Sequence, residues 1–339
     1  MAKYFLGSVG SAEAFRMVNG QPKMAFVAKT LTDSSISVTI TKDELRGGTG
    51  APVVTNFFHD PAVAITLTDI LFKEGYVEAQ LGTNFTANAN AYQSETIKAK
   101  EAGKLELSKT PVDLGVLKCS DSASTIIAWY SEEGKDDYKA VSISASDAGT
   151  KTLSDSGIKA DKTYCVRYLA NDNNALEAII KSDMIPHELA LIITVPIFAG
   201  DACAASKGSK AGTLTFEVPR FQLDGGQEFT FNMSSNATMS LNGTAMVMTE
   251  GCDANSGKLF RMIEVIEGRT VEAIMIDEST AKVGASKDDV VVYALYSDKM
   301  LAVVDKPVLG GEAVGENGIL KAGQLTATAL GKTANCTIA

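Results

Sequence analysis

The chain has 339 residues, of which 45% are hydrophobic and 21% charged, and its formal net charge is −10. This composition is that of a globular protein able to bury a core, and the length predicts two or three domains of roughly 150 residues. The acidic balance argues against ordinary nucleic-acid binding, which needs clustered Lys and Arg, but it is compatible with a wall along which DNA passes without sticking.

Neither export nor membrane insertion is expected. The first residues, MAKYFLGSVGSAEAFR, lack the apolar segment of about 7–15 residues that a secretory leader contains. The longest apolar run, Leu189–Gly200, is interrupted by Pro196 and is shorter than the roughly 18 residues of a membrane span. Five scattered cysteines without a CxxC pair predict reduced thiols and no zinc site.

In the first part of the chain, apolar residues alternate with Ser and Thr. This pattern predicts strands at Ser34–Thr41 and Ala62–Thr68, with a flexible glycine-rich loop between them. A helix is predicted within Thr68–Gly82, capped by Asp69. Its core-facing residues would be Ile70, Leu71, Val77 and Leu81.

The middle of the chain has a different rhythm. Short strands with a turn signal every ~8–15 residues predict a small inserted β-domain at residues 99–171. The insertion would divide a first domain into residues 1–98 and 172–267. A second short helix is predicted at Asn174–Lys181, and a further strand at Glu228–Ser234.

Two segments of the divided domain resemble each other. Ile40–Gly48 and Val218–Gly226 both read apolar, any residue, basic, two spacers, Leu, charged, Gly-Gly. Each follows an alternating strand and precedes another. They are interpreted as two strand–loop–strand units in related places of one sheet system.

No motif for catalysis or for cofactor binding is found. No lysine follows the glycines of Gly47–Pro52, as a P-loop requires, and the segment is not GxGxxG. His59 precedes Asp60, but there is no GxSxG serine for a triad. Calcium-loop spacing is absent, and one tryptophan, Trp129, offers little for a sugar-binding platform. We therefore expect no enzyme, no metal and no cofactor.

Residues 268–339 resemble a bacterial immunoglobulin-like domain of the type found on cell-surface and virion proteins. The resemblance lies in Val283-Gly284, Tyr293–Asp298, Glu316–Gly318 followed by Leu320, and Ala327–Ala329. It implies a C-terminal β-sandwich.

Residues 30–82 and 212–248 resemble the tail tube (major tail) proteins of tailed bacteriophages. The shared pattern is an alternating strand that ends in a charged residue and Gly-Gly, a long loop, a returning strand and a helix; "VPRFQLDG" followed by "SLNGTAMV" also matches. The resemblance implies a mainly β fold, a sandwich or barrel with one packed helix. It further implies hexameric rings that stack into a tube for DNA ejection, with the inserted and C-terminal domains on the outside.

The expected partners are therefore other copies of the chain and other tail proteins such as sheath, baseplate or terminator. DNA would pass through the lumen without sequence-specific binding. The protein would lie in the virion tail, and in the host cytoplasm during assembly. The candidate subunit-contact residues are Arg46, Gly47, Gly48, Thr49, Gly50, Phe57, Phe58, Arg220, Asp224, Gly225 and Gly226.

Three alternatives remain open: another virion component of the baseplate or shell, a surface fibre built from immunoglobulin-like modules, and an enzyme or carbohydrate-binding module.

Overall fold

The computed structural model describes residues 3–112, 125–143, 150–200, 209–226, 238–248, 257–315 and 317–339. Antiparallel strands dominate these residues and one short α-helix joins them, which confirms the predicted mainly β fold. The chain forms two compact units: Met1–Leu71 with Glu188–Gln222 and Thr230–Ala339, and Phe72–His187 with Leu223–Phe229. The predicted domain boundaries stay predictions, and the strand expected at Glu228–Ser234 lies outside the described residues.

The first unit contains a nine-stranded sheet. Its order is β3-β2-β14-β15-β16-β5-β4, with β1 added beside β14 and β17 beside β15. The strands are β1 Lys3–Leu6, β2 Ser11–Val18, β3 Gln21–Ala28, β4 Leu31–Arg46, β5 Val53–Asp69, β14 Glu188–Gly200, β15 Ser209–Leu223, β16 Met239–Ala245 and β17 Arg261–Ile266.

The core of this sheet follows from the alternation in its strands. In β14, every second residue from Leu189 to Ile197 is buried, and in β5 the same is true of Val63, Ile65 and Leu67. Successive strand residues point to opposite faces, so alternation places one apolar row against the core. Burying each such side chain contributes about 1.5–3 kcal/mol.

Strands β4 and β5 form one long hairpin, and here the expected flexible loop is wrong. The strands predicted at Ser34–Thr41 and Ala62–Thr68 are parts of longer strands that pair as far as Arg46 and Val53. Apart from residues at bulges, only the turn between them remains unpaired, and Gly47 N donates to Pro52 O at 3.2 Å across it. The turn takes left-handed backbone at Gly48 and Gly50 (φ 82° and 87°), which glycine tolerates without strain.

Helix α1 covers Glu74–Leu81, a shorter span than predicted, and Lys73 occupies the N-cap position. Asp69 is instead the last residue of β5, where it accepts hydrogen bonds from Thr30 Oγ1 (2.6 Å) and Leu71 N (3.0 Å). The expected core contacts of Ile70 and Leu71 are also wrong, because both side chains are exposed. Among the described residues, no helix is long and apolar enough to cross a membrane.

The second unit contains a four-stranded sheet of order β10-β9-β12-β7 and two short pairs, β11-β8 and β13-β6. No helix forms at Asn174–Lys181, because Leu176-Glu177 is a strand that pairs with β6. The buried core includes Leu105, Leu153, Val166 and Tyr168. The strands are β6 Thr86–Ala87, β7 Asn90–Lys98, β8 Lys104–Glu106, β9 Thr125–Glu132, β10 Lys139–Ile143, β11 Thr152–Ser154, β12 Thr163–Asn171 and β13 Leu176–Glu177.

The last residues of the first unit form two three-stranded sheets, β18-β19-β20 and β21-β22-β23. Residues of both sheets contribute to one buried cluster that includes Ile274, Val292 and Leu325. The immunoglobulin-like assignment stays a prediction, and Glu316 of its motif lies outside the described residues. The strands are β18 Val271–Ile276, β19 Val292–Tyr296, β20 Leu301–Val303, β21 Val308–Gly310, β22 Gly323–Ala329 and β23 Lys332–Ile338.

Candidate subunit interface

The outer part of the β4–β5 hairpin has no cover on either face. From Ser37 to Ala62, every residue except Gly47 is exposed. The candidate residues Arg46, Gly47, Gly48, Thr49 and Gly50 lie at its tip, and Phe57 and Phe58 lie on β5 near the tip. The glycines at the tip have free space around them, since a Cβ at Gly48 or Gly50 would meet nothing within 4 Å.

One face of the hairpin continues the apolar core of the sheet. Ile36 and Val38 lie directly opposite Ile65 and Val63, and paired residues share a face. The β5 residues are buried, whereas Val38 is 52% exposed. The bulge near Ile40 adds its extra residue to β5 and not to β4, so the alternation of β4 is unbroken there. Ile40 therefore lies on the same face as Val38, and it is 57% exposed. Strand β4 is at the edge of the sheet, so its apolar row lies beyond the part that the core covers.

Phe58 lies farther along the same face, opposite Lys42, and is 67% exposed. Exposed apolar side chains that share one face of a strand pair mark an interaction site more often than scattered ones do. We call the row Val38, Ile40 and Phe58 the apolar hairpin face.

A cavity of about 650 Å³ borders the apolar hairpin face in the first unit. Ile36 and Val38 line it from β4, and Phe216 and Met262 line it from β15 and β17. Sequence reasoning missed this cavity because its walls come from strands far apart in the chain and meet only through sheet order.

The opposite face of the hairpin is polar, and two rows in its inner part carry no charged group. Ser35 pairs with Thr66, which pairs with Asn242 of β16. The next row consists of Ser37, Ala64 and Thr244. These two rows therefore present hydroxyl, methyl and amide groups without a charge.

Farther out, charged side chains link the two strands of the hairpin. His59 lies between two carboxylates, with Nδ1 2.7 Å from Asp60 Oδ2 and Nε2 3.0 Å from Asp43 Oδ2. These hydrogen bonds, first that of Asp60 and then that of Asp43, raise the pKa of His59. Asp60 has a positive φ of 50° and belongs to the residues that bulge from β5.

On the other face of β4, Glu44 accepts hydrogen bonds from Lys42 and Arg46, and these lower its pKa. All the groups are exposed, so such pairs contribute little stability and instead help to hold the strand geometry.

The second candidate segment lies against its own chain. Arg220 forms a two-pronged contact with Glu188, Nε–Oε1 at 2.7 Å and Nη2–Oε2 at 2.8 Å, and the Arg220 hydrogen bond lowers the pKa of Glu188. A Cβ at Gly225 would lie 2.8 Å from the Pro186 ring. The main-chain oxygen of Gly226 accepts a hydrogen bond from Gln80. The sequence likeness of the two Gly-Gly segments therefore does not extend to their surroundings, and Asp224 lies in the second of them.

In the ranges that the structure describes, no group of three or more His, Cys, Asp or Glu side chains could hold a metal ion. The site thus consists of a hairpin with an apolar face and a polar face, and both faces carry charged side chains toward the tip.

A mainly β chain with an exposed apolar strand face is typical of the class of structural proteins that associate with other subunits. Residues 4–262 match the sequence model of the YomU/Tube protein family, and the chain belongs to that family. It is therefore a phage tail tube structural protein and not an enzyme, and the proteins of this family self-assemble. No curated protein matches the chain. The family match ends before β18, so the C-terminal sheets lie outside it.

Proposed function

We propose that copies of this chain join through the β4–β5 hairpin into hexameric rings, and that the rings stack into the tail tube through which DNA is ejected. The uncovered apolar hairpin face carries this proposal. Membership of the tube family supplies the general role, and the hairpin supplies a surface on this chain that another copy would cover.

The energetic argument rests on Val38, Ile40 and Phe58. Each is more than half exposed in one copy. Covering such a side chain stabilises a complex by up to about 1.5–3 kcal/mol before the costs of association are subtracted. The adjoining cavity, lined by Ile36, Phe216 and Met262, offers further apolar surface against which a neighbouring copy would pack.

The polar face of the same strands then lines the lumen. Its rows Ser35–Thr66–Asn242 and Ser37–Ala64–Thr244 carry no cation that would hold a phosphate. The chain as a whole has a net charge of −10, so DNA would meet no attractive field. A lumen of this kind allows passage without sequence-specific binding.

The tip residues Arg46, Gly47, Gly48, Thr49 and Gly50 extend the contact to the next subunit. We place the subunit contact at the hairpin and not at the second Gly-Gly segment, because Arg220, Gly225 and Gly226 already contact their own chain. The inserted β-domain and the C-terminal sheets would then decorate the outside of the tube. Sheath, baseplate and terminator proteins would meet the finished tube in the virion tail, after assembly in the host cytoplasm.

The test compares Ile40→Asp with a matched control, Val308→Asp. Val308 is also exposed but lies in the C-terminal sheets, outside the family match. We expect wild type and Val308→Asp to form rings or tubes in negative-stain micrographs. Ile40→Asp should sediment as a monomer with an unchanged circular dichroism spectrum. Normal tubes from Ile40→Asp, or equal failure of both variants, would overturn the proposed role of the hairpin face.

A deletion tests the tip separately. Removing Gly47–Ala51 should leave the monomer folded, because no residue of the core is touched, and should block polymerisation. Tubes of normal length from this variant would show that the tip makes no required contact.

A further inference from the structure

The second unit carries an aromatic and cationic surface that tube assembly does not explain. It lies on the outward face of the four-stranded sheet, opposite the core. In β12, Val166 and Tyr168 are fully buried, and Arg167 between them is exposed on the other side. Because strand residues alternate, the partners of Arg167 on neighbouring strands share this outward face.

Sheet register places a row of four residues across the face. Ser94 of β7 lies opposite Arg167, Arg167 lies opposite Trp129 of β9, and Trp129 lies opposite Ala140 of β10. The Arg167 guanidinium is 5.5 Å from the ring centre of Tyr138. The sole tryptophan of the chain, which on its own offers little for ligand binding, is thus next to an arginine and a second aromatic ring.

A neighbouring row adds a third ring. Tyr92 of β7 lies opposite Leu169 of β12, two residues along from the Ser94–Arg167 pair, and its side chain is 62% exposed. Residues on diagonal positions of adjacent strands are within reach of long and aromatic side chains. We call Tyr92, Trp129, Tyr138 and Arg167 the aromatic–arginine face.

Arg167 differs from other arginines of the chain in its partners. Arg46, Arg220, Arg261 and Arg269 each contact a carboxylate. Within the described ranges, the Arg167 guanidinium lies over the ring of Tyr138 and forms no ion pair with a carboxylate. A guanidinium stacked on a ring keeps its fork of N–H donors available for a planar acid.

The backbone at this surface limits what can bind. Strand β12 is hydrogen-bonded to β7 on one side and to β9 on the other. A peptide therefore cannot add as a new strand beside Arg167, and the face offers only rings, hydroxyls and a cation. Flat rings stack against the apolar face of a sugar, while the guanidinium takes a carboxylate.

We propose that the aromatic–arginine face binds an acidic polysaccharide whose sugar rings carry carboxylates. Arg167 pairs with the carboxylate, and Trp129 and Tyr92 contact the sugar rings. This activity is separate from self-assembly.

The experiment uses the full chain and the fluorescence of its one tryptophan as a reporter beside the site. Oligogalacturonate is titrated, with neutral galactan of equal length and polyglutamate of equal charge as comparison probes. The variants are Arg167→Gln and Tyr92→Ala, and the matched control is Lys98→Gln, which removes a cation from the end of β7. Circular dichroism checks that each variant folds.

We expect saturable binding of oligogalacturonate, weakened at least tenfold by Arg167→Gln and several-fold by Tyr92→Ala. Lys98→Gln should change the affinity less than twofold. The proposal fails if the acidic sugar gives no saturable signal, or if neutral galactan binds as tightly. It also fails if polyglutamate binds equally well, or if Lys98→Gln weakens binding as much as Arg167→Gln, because either result indicates attraction to charge alone.

Discussion

Arg269 joins the nine-stranded sheet to the C-terminal sheets, and its removal tests how firmly that junction is held. Its Nη1 is 2.7 Å from Glu264 Oε2 on β17, and its Nη2 is 2.8 Å from Asp298 Oδ2. The guanidinium also lies 5.6 Å from the ring centre of Tyr296. The side chains of Arg269 and Asp298 are only 13% and 11% exposed. One cation thus serves two carboxylates on either side of the connection.

Arg269→Ala would leave the Asp298 carboxylate in a nearly buried position without its cation. Breaking a buried pair in this way costs about 3–5 kcal/mol. Glu264 is one-third exposed and can recover hydration, so the expected loss is at the lower end, about 3 kcal/mol. The control is Arg261→Ala on the same strand, whose pair with Glu217 is 60% and 36% exposed. That exposed pair is worth about 0.2–1 kcal/mol.

The assay is calorimetric unfolding, with limited proteolysis of the connection as a second measurement. One kcal/mol shifts Tm by about 4–8 °C in a domain of 60–100 residues. If the domain predicted at residues 268–339 unfolds separately, Arg269→Ala should lower its Tm by more than 10 °C. It should also speed cleavage between β17 and β18. Equal shifts for Arg269→Ala and Arg261→Ala would refute the reasoning, since burial of the contact would then make no difference.

Three further predictions concern pH and salt. The pKa of His59 is raised by Asp60 above the usual value of about 6.5, so its stabilising contacts are complete below that pH and are lost as pH rises through the raised pKa. Amide protection factors in the outer hairpin, measured by NMR and corrected for the intrinsic pH dependence of exchange, should fall over that range in wild type and stay constant in His59→Gln. Burial alone would raise the pKa of Glu95, but hydrogen bonds from Ser108 and Tyr168 outweigh burial and lower the pKa. The second unit should therefore lose stability as pH falls below about 4.3, the usual pKa of a glutamate. In urea unfolding, Glu95→Gln should cost about 1–3 kcal/mol at neutral pH and show a flatter acid profile. Raising NaCl from 0.05 to roughly 0.5 M should promote tube assembly in light scattering, because it screens repulsion between acidic copies; dissolution of the tubes by salt would instead indicate contacts made of ion pairs.

Alternation was enough to predict the parts of β4 and β5 that pack on a core. It failed beyond Thr41, where Lys42, Glu44 and Arg46 resemble a solvated loop in composition. These residues are a strand because their charges pair along β4 and because β5 opposite them continues with Val, Thr and Phe. Strand pairing over a long range overrode a local composition that favours loops.

The helix shows the same limit at its start. Asp69 has the right chemistry for an N-cap, but its side chain accepts from Thr30, a residue 39 positions earlier that strand pairing brings beside it. Sequence distance conceals such a partner. The aromatic–arginine face was also unpredictable, because Tyr92, Trp129 and Arg167 meet only through the register of three strands.

The edge position of β4 is the physical basis of the proposed subunit contact. Strand β4 alternates apolar and polar residues from Ile36 to Ile40, as the buried part of β5 does, but β4 is the edge strand of its sheet. The core covers Val63 and Ile65 on β5, but it does not extend over Val38 and Ile40 on β4. A chain of net charge −10 keeps such a surface soluble at low concentration, since like charges separate the copies. Once a neighbour covers the apolar row, however, the charged groups of Lys42, Glu44 and Arg46 remain at its rim, where they can stay hydrated. In the proposed contact, the apolar row would therefore drive association, and the charges around it would set the orientation in which a second copy can approach.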